Sequence, residues 1–412
     1  LSDTILDWFW QLDLQLDYLD VSYNQLSGMV PNSLRFNFSS VVDLSSNRYE
    51  GPLPLWSSNI TMLFLRDNLF SGPIPHNIGQ VMPNLTHLDI SRNSLSGSIP
   101  HFWNNIASLY IVDMSNNNLS STNPRSLGSL TSLRVLFLSS NNFSGEVPSL
   151  KNCTDMKILD LGDNKFSGLI PSFIGESMLS LKILSLRSNS FTGSIPIQLC
   201  GLSTLHILDF SHNNLFGNIP HCIGNLSGLK SEFTDKDTKV YGHEGRLEVV
   251  SKGRVLEYDS ILYLVNSIDL SDNNLSGEIP MRITSLIKLG TLNLSMNHLI
   301  GNIPANIGNL GLLETLDLSM NKLLGSIPQS MVSLTFLSHL NLSYNNLSWK
   351  IPTGNQFQTF VDPSIYEGNA GLSGCPLPIG CQDNEEALQI PSGDGGEDDD
   401  SKLEKLQFVI SM

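Results

Sequence analysis

The sequence is poor in charge. Lys, Arg, Asp and Glu make up 15% of its 412 residues, well under the roughly 25% of an average globular chain. Basic residues are the scarcer kind, 23 against 39 acidic. A net charge of −16 excludes nucleic acid and anionic membrane surfaces as expected partners, since both need basic patches. Only five Cys occur, without a C-x-x-C pair, and the nine His are scattered. Zinc ligation is therefore not expected, and neither is any cofactor. No apolar run reaches the roughly 18 residues of a membrane-spanning helix, and the opening LSDTILDWFW does not read as a signal peptide. The nucleophile, zinc and phosphate motifs G-x-S-x-G, H-E-x-x-H and G-x-x-x-x-G-K-[ST] are all missing. Carboxylates do recur, but at regular intervals, so they read as solvated repeat consensus rather than as the matched acid/base pair of a glycosidase. An enzyme is not expected.

What the chain has in abundance is repetition. The text L-x-x-L-x-L-x-x-N-x-L recurs with its central Asn at 24, 47, 68, 93, 117, 141, 164, 189, 213, 273, 297, 321 and 345. That makes thirteen units of about 24 residues, the leucine-rich repeat signature of one short strand per coil. In the unit from Leu313, the side chains of Leu313, Leu316, Leu318 and Leu323 should point inward. No coil can bury its own apolar face, so the core exists only by stacking. Asn321 should turn inward and satisfy backbone groups of the bend that would otherwise be buried unpaired. Gly325 supplies a backbone angle that other residues resist, and Pro328 ends the next extended piece. The expected fold is an α/β-type leucine-rich repeat solenoid: a curved right-handed superhelix with a parallel β-sheet on its concave face, 3-10 and loop segments on its convex face, and one inserted island.

The spacing divides the chain. Residues 1–229 should hold nine full units after a partial coil, and 261–352 four more. Between Asn213 and Asn273 lie 36 residues more than one period, and residues 230–260 are dense in charge and devoid of the Leu spacing. A tolerated surface loop is one reading of this island, because long insertions cost little entropy. A binding element is the favoured one, since long insertions in compact folds are usually functional or disordered. Residues 353–381 form a cap with a Cys pair. Residues 382–405 read as an acidic disordered juxtamembrane segment, and 406–412 as a possible start of a missing membrane helix. Ile5 matches the Ile of the I-P step, so the chain begins mid-coil without a polar cap, which reads as truncation of a longer protein.

Cys375 and Cys381 bracket a short Pro-rich loop, a sensible place for a disulfide. Cys200 and Cys222 are close to one period apart, which makes a bond between neighbouring coils geometrically plausible; two buried thiols are the alternative. Cys153 reads as a core residue. Glycosylation sequons stand at Asn37, Asn59, Asn84, Asn118, Asn142, Asn152, Asn225, Asn274, Asn293, Asn341 and Asn346. Several arise automatically from the repeat text NNLSG, so they point only moderately to a secretory route.

Candidate ligand contacts are the departures from the unit's own consensus on the concave face. Asp is the usual occupant between the last two strand leucines, but Phe64, Phe137 and Ser185 replace it, and Arg66 and Arg187 stand where Ser is common. Tyr23, Arg92, Tyr110, His206 and His212 are also expected to face the open side. Aromatic and Arg side chains are enriched among interface hot spots.

The extra half-unit L-x-G-x-I-P, as in Leu95 to Pro100, resembles the plant-specific repeat of cell-surface receptors, with Ser121 and Trp349 standing where Gly is expected. Nearly the whole chain is similar to the ectodomain of plant leucine-rich-repeat receptor-like proteins, above all the clade of the ethylene-inducing xylanase receptors. DWFW (Asp7–Trp10), VVDLSSNRYEGPLPLWSSN, LCGLSTLHILDFSHNNL, VSKGRVLEYDSILYLVNSIDLS and IPTGNQFQTF carry the match. The resemblance implies perception of a microbial protein or peptide elicitor outside the cell. It implies recruitment of a co-receptor leucine-rich-repeat kinase by the island and the four coils after it, Val265 to Pro352. Lys252, Gly253, Glu257 and Tyr258 match the family's island motif, and Tyr241 lies farther ahead of Lys252 than relatives place that Tyr. Ser373 stands where relatives often have Cys. The implied location is the extracellular side of the plasma membrane, anchored by a single helix missing from this chain. Other readings of the same repeats are a secreted inhibitor of cell-wall-degrading enzymes, the ectodomain of a peptide or steroid receptor kinase, and a truncated allele acting as a decoy.

Overall fold

A computed structural model describes residues 15–379, apart from 101–102, 104–105, 107, 122–124, 231–246, 252–253 and 259–264. Within 247–258 it describes only the backbone. The repeat text folds as one continuous stack. Each unit contributes a strand to a 13-stranded sheet in strict chain order, from Gln15–Asp20 to His339–Asn341. Every neighbouring pair is parallel, and equivalent residues of successive units face each other, as Ile158 faces Ile183 and Ile183 faces Ile207.

Leu at the inward positions makes this possible. Leu136, Leu159, Leu184 and Leu316 are fully buried, and they belong to one apolar core running from Leu19 to Leu372. At the bend after each strand, the repeat Asn forms a ladder of its own. Asn321 Nδ2 donates to the carbonyls of Leu294 (2.9 Å), Leu318 (3.2 Å) and Ser319 (3.1 Å), and its Oδ1 accepts from Leu299 N–H at 3.0 Å. One amide thus satisfies buried backbone groups of its own coil and of the coil before it, which no shorter or apolar side chain does.

The L-x-G-x-I-P half does more than end an extended piece. Its residues form strands as well, from Ser27–Met29 to Gly371–Ser373, in a second series of parallel sheets of five, six and three strands. Inside it, Phe143, Phe166 and Phe191 stack with ring centroids 6.1 and 6.5 Å apart. Gly325 sits there at φ 79°, as expected, and Trp349 adopts the same left-handed conformation at φ 77°. Among the described residues, the opposite, convex side is made of 3-10 turns and two short α-helical turns, Ile78–Val81 and Phe173–Ser177. Coils approach closely here: a Cβ on Gly308 would collide with the Ser330 carbonyl.

The stack ignores the insertion. Strand Ile207–Asp209 pairs directly with Ser267–Asp269, and Asn273 Nδ2 reaches Phe210 C=O at 2.9 Å. The island contains an antiparallel hairpin, Leu247–Ser251 with Arg254–Tyr258. Cys200 and Cys222 are bonded, with Cα atoms 5.6 Å apart, joining the 3-10 turns Ile197–Gly201 and His221–Asn225 of adjacent coils. Cys153 is a free, buried thiol, pushed up to about 11 by burial. Cys375 is disulfide-bonded, and Cys381, its expected partner, lies outside the described residues, as do residues 1–14 and the acidic stretch 382–405 with 406–412.

The cap holds one feature beyond the thirteen spaced units. Asn369 is the next rung of the Asn ladder: its Oδ1 accepts from Leu347 N–H at 3.0 Å, and its Nδ2 reaches Leu342 C=O at 3.0 Å. Strand Gly371–Ser373 then pairs with Asn346–Lys350. A fourteenth coil is therefore half present, and the 3-10 turn Pro363–Tyr366 precedes its ladder Asn without joining the concave sheet.

Candidate functional site

The concave face is the broadest surface that the repeat leaves for a ligand, and its chemistry changes along the stack. Phe64, His87, Tyr110 and Arg134 come from four consecutive coils and touch in series. Ring centroids of Phe64 and His87 lie 6.2 Å apart, those of His87 and Tyr110 4.4 Å apart edge-on, and the Arg134 guanidinium carbon stands 5.9 Å from the Tyr110 centroid. Such aromatic and cation–π contacts contribute about 0.5–1.5 kcal/mol each. Of these four, Phe64 is a departure from consensus and Tyr110 was expected to face the open side; His87, Tyr110 and Arg134 all occupy positions with no fixed consensus, so the repeat text marks none of the three.

Beside this run lies an apolar strip. Ile111, Val135, Phe137, Ile158, Ile183 and Ile207 form a second hydrophobic cluster, none more than 5% exposed, with Tyr110 and Val265 against it. Phe137 and Ser185 stand at the Asp position of the strand, as expected, paired with Asp113, Asp160 and Asp209, yet neighbouring coils cover them: both are 1% exposed, and His206 is 5%. Parallel neighbours sit about 4.8 Å to either side of each residue, and branched or aromatic side chains at that spacing cover one another. Tyr23, Arg92 and His212 leave the sheet's own strand positions. They follow the strand, immediately before the ladder Asn, at φ 54°, 51° and 54°. They stand on the corner between the concave sheet and the second sheet.

Most of the Asp ladder is likewise not solvated; Asp43 and Asp317 are half-buried. Asp89, Asp113, Asp160, Asp209 and Asp269 are all below 10% exposed. Four of these carboxylates are clasped by the Ser two residues on: Ser91, Ser115, Ser211 and Ser271 hydroxyls each donate to Oδ1 at 2.6 Å, joined by their backbone N–H at 2.9–3.0 Å. Burial outweighs these bonds and raises the carboxyl pKa values. Asp113 is pushed up to about 7 by burial and then by its neighbour Asp89, and Asp209 to about 7 by burial and then by Asp269. The clasp also explains the two Arg departures. Where Phe64 or Ser185 replaces Asp, the clasping Ser is replaced as well, by Arg66 and Arg187. Arg66 lies near enough to Asp89 and Asp113, and Arg187 to Asp209, to favour their ionised forms. Arg187 also approaches Asp163 to 3.6 Å.

Around the insertion, three contacts bridge coils nine and ten. His206 Nδ1 lies 3.0 Å from Asn266 Oδ1, Asp209 and Asp269 lie at paired strand positions, and His212 Nδ1 lies 2.7 Å from Asp272 Oδ2. Of the island residues, Glu257 and Tyr258 fall on the second hairpin strand, opposite Glu248 and Leu247; Tyr241, Lys252 and Gly253 lie outside the described residues. Among the sequons, Asn84, Asn118, Asn152, Asn225, Asn274 and Asn346 are exposed, while Asn37, Asn59, Asn142, Asn293 and Asn341 are half-buried. Asn293 and Asn341 stand in the Asp ladder itself, and Asn293 Nδ2 donates to Asp269 Oδ2 at 3.0 Å. Among the described residues, no group of three or more His, Cys, Asp or Glu is placed to hold a metal ion.

Family models described as leucine rich repeat match residues 83–143 and 15–37, 155–177, 180–202, 204–226, 265–286, 288–310, 312–334 and 336–360. Over its whole length the chain is 44% identical to Receptor-like protein EIX2 of Solanum lycopersicum, of which it spans 42%. It is 42% identical over 100 residues to Receptor-like protein 34 of Arabidopsis thaliana, covering 22% of this chain and 10% of that protein. The chain thus spans less than half the length of the curated relatives it matches. Among solved structures, it superposes on the ectodomain of the Arabidopsis receptor kinase HAESA bound to an extended IDA peptide hormone, with TM-score 0.72 and 30% identity over 90% of this chain and 60% of that one. The peptide hormone receptor RGFR1 with RGF2 gives TM-score 0.71 and 29% identity, over 90% and 57% of the two chains. HAESA with IDA and the co-receptor SERK1 gives 0.69 and 28%, over 90% and 64%.

Proposed function

The chain belongs to the leucine-rich repeat family and matches a plant receptor-like protein from end to end, and from that premise we propose that it is the ligand-binding part of a plant cell-surface immune receptor. Its ligand is a microbial protein or peptide elicitor, held by the concave face and the island. A co-receptor leucine-rich-repeat kinase docks against the island and the coils from Val265 to Pro352, and signalling follows from that proximity. Anchoring belongs to a membrane helix beyond this chain, with the repeats on the extracellular side.

The observation that carries this reading is the run from Phe64 through His87 and Tyr110 to Arg134. Aromatic and guanidinium groups gathered across four coils suit a polypeptide ligand far better than the Ser, Thr and Asn of the later coils. The test is a binding assay of the folded chain against microbial wall-degrading proteins, repeated with Tyr110→Ala and with residues 231–264 removed. Both changes should weaken ligand capture, and the deletion should also abolish co-receptor capture. A folded deletion protein that still binds both would end the assignment. The superposition on peptide-bound HAESA and RGFR1 favours a second reading, an endogenous peptide as ligand, which the same assay separates by its choice of probe.

A further inference from the structure

Among the described residues the concave sheet has an open end: strand His339–Asn341 pairs with Thr315–Asp317 on one side and with no described strand on the other. The chain beyond it rejoins the repeat pattern through Leu342 N–H to Ile365 C=O at 2.9 Å and Tyr344 N–H to Glu367 C=O at 2.6 Å. In a parallel ladder, successive residues address alternate neighbours. His339 N–H donates back to Glu314 C=O, and Asn341 C=O accepts from Leu318 N–H. The N–H and C=O of Leu340 therefore address the side where no strand of the described residues lies. The Ser338 carbonyl stands at the same edge. Its counterparts Gly290 and Glu314 each accept two amides from the following coil, whereas Ser338 accepts none from the backbone of the described residues.

A cleft of about 420 Å³ runs along this edge, within the range of ligand pockets. Leu340 and Tyr344 lie on one side, Asp362, Ser364 and Glu367 on the other, and the buried ring of Phe360 also lines it. Asp362 accepts from Ser364 N–H at 2.9 Å, which holds its carboxyl below the usual range. Glu367 lies close enough to the Tyr344 hydroxyl to raise its pKa. Both carboxylates are exposed at the cleft.

We propose that this cleft is a strand-addition site, where an extended polypeptide segment of a partner joins the sheet at His339–Asn341 by main-chain hydrogen bonds to Leu340 and Ser338, with a Lys or Arg side chain held by Asp362 and Glu367. Strand addition draws affinity from main-chain bonds and selectivity from the side chains that alternate along the segment. An open edge beside two carboxylates selects a basic segment and repels an acidic one. The site lies at the far end of the stack from Tyr110, so it does not depend on the elicitor reading above.

The probe is a capped peptide, Thr-Val-Lys-Val-Lys-Val-Thr, titrated against the full 412-residue chain. Saturating peptide should slow hydrogen exchange at the Leu340 amide. N-methylation of the peptide's central Val should abolish binding, and Asp362→Asn combined with Glu367→Gln should weaken it roughly three- to ten-fold. A Glu-for-Lys version should bind worse than the parent. The proposal is overturned if the folded chain fails to bind the parent peptide, if Leu340 exchange is unchanged at saturation, or if the N-methylated or acidic peptide binds as tightly as the parent. Should the double variant misfold, the peptide series against the unaltered chain decides alone.

Discussion

His212 Nδ1 lies 2.7 Å from Asp272 Oδ2, although sixty residues separate them. Elsewhere the same contact between coils spans a single period, as where the Ser46 hydroxyl meets Asp67 Oδ2 at 3.1 Å. The insertion is therefore accommodated outside the stack, and coils nine and ten meet as if it were not there.

Joining Lys230 directly to Val265 leaves Asn213 and Asn273 about one period apart. The shortened chain should keep its circular dichroism spectrum and a Tm within a few degrees of the parent, because loop length alone contributes well under a few kcal/mol. A molten or aggregated product would show that the insertion supports the stack.

Asn321→Ala removes an amide that serves four backbone groups. At about 1–3 kcal/mol per buried group left unpaired, the substitution should destabilise the chain by at least ~3 kcal/mol in urea unfolding. A loss no larger than that of an exposed Asn such as Asn152 would mean that water enters the bend and replaces the amide.

Burial and a neighbouring carboxylate push Asp113 and Asp209 up to about 7 in the folded chain, against about 3.9 when unfolded. The folded state therefore holds extra protons between these values. Raising the pH through this window strips them and leaves buried charge, so stability falls as pH rises from about 4 to beyond 7, with a slope of up to ~1.4 kcal/mol per pH unit for each group. Asp209→Asn should flatten the profile and raise Tm at pH 8 while changing little at pH 4. Asn293 and Asn341 already fill the same position, and each accepts from the next Ser in the same way, at 2.8 Å from the hydroxyl. An unchanged pH profile in that variant would assign the dependence to other groups.

Trp349 holds a left-handed backbone and is 71% exposed. That conformation costs a non-glycine residue about 1–2 kcal/mol, and so exposed a ring recovers little by burial. Trp349→Gly should raise stability by roughly 0.5–1 kcal/mol. A drop instead would mean that the indole contributes more to its coil than its exposure suggests.

How much of this was legible beforehand depends on the kind of residue. Leu and the ladder Asn have tasks set within one period, so their spacing gave the strand order and the inward face before any coordinate was known. Cys200 and Cys222 were readable for the same reason. Phe137, Ser185 and His206 were not. Whether such residues reach solvent depends on side chains one coil away on either side, and a linear pattern does not carry that neighbourhood. The buried Asp ladder was misjudged on the same ground. Arg66 and Arg187 were noticed as departures, but their charges answer carboxylates of adjoining coils. Asn369 escaped because its unit lacks the leucine strand, with Ile365 and Tyr366 standing in its place.

The Cys200–Cys222 bond ties the last two coils before the insertion. A stack held only by nearest-neighbour contacts frays from its ends, one coil at a time. Peeling that starts at the C-terminal end can run through coils thirteen to ten, but to release coil nine it must break a covalent rung. The molecule is thereby divided mechanically, into a distal section that can be worked loose by a partner pulling on it and a proximal section, carrying the Phe64–Arg134 run, that stays wound while this happens.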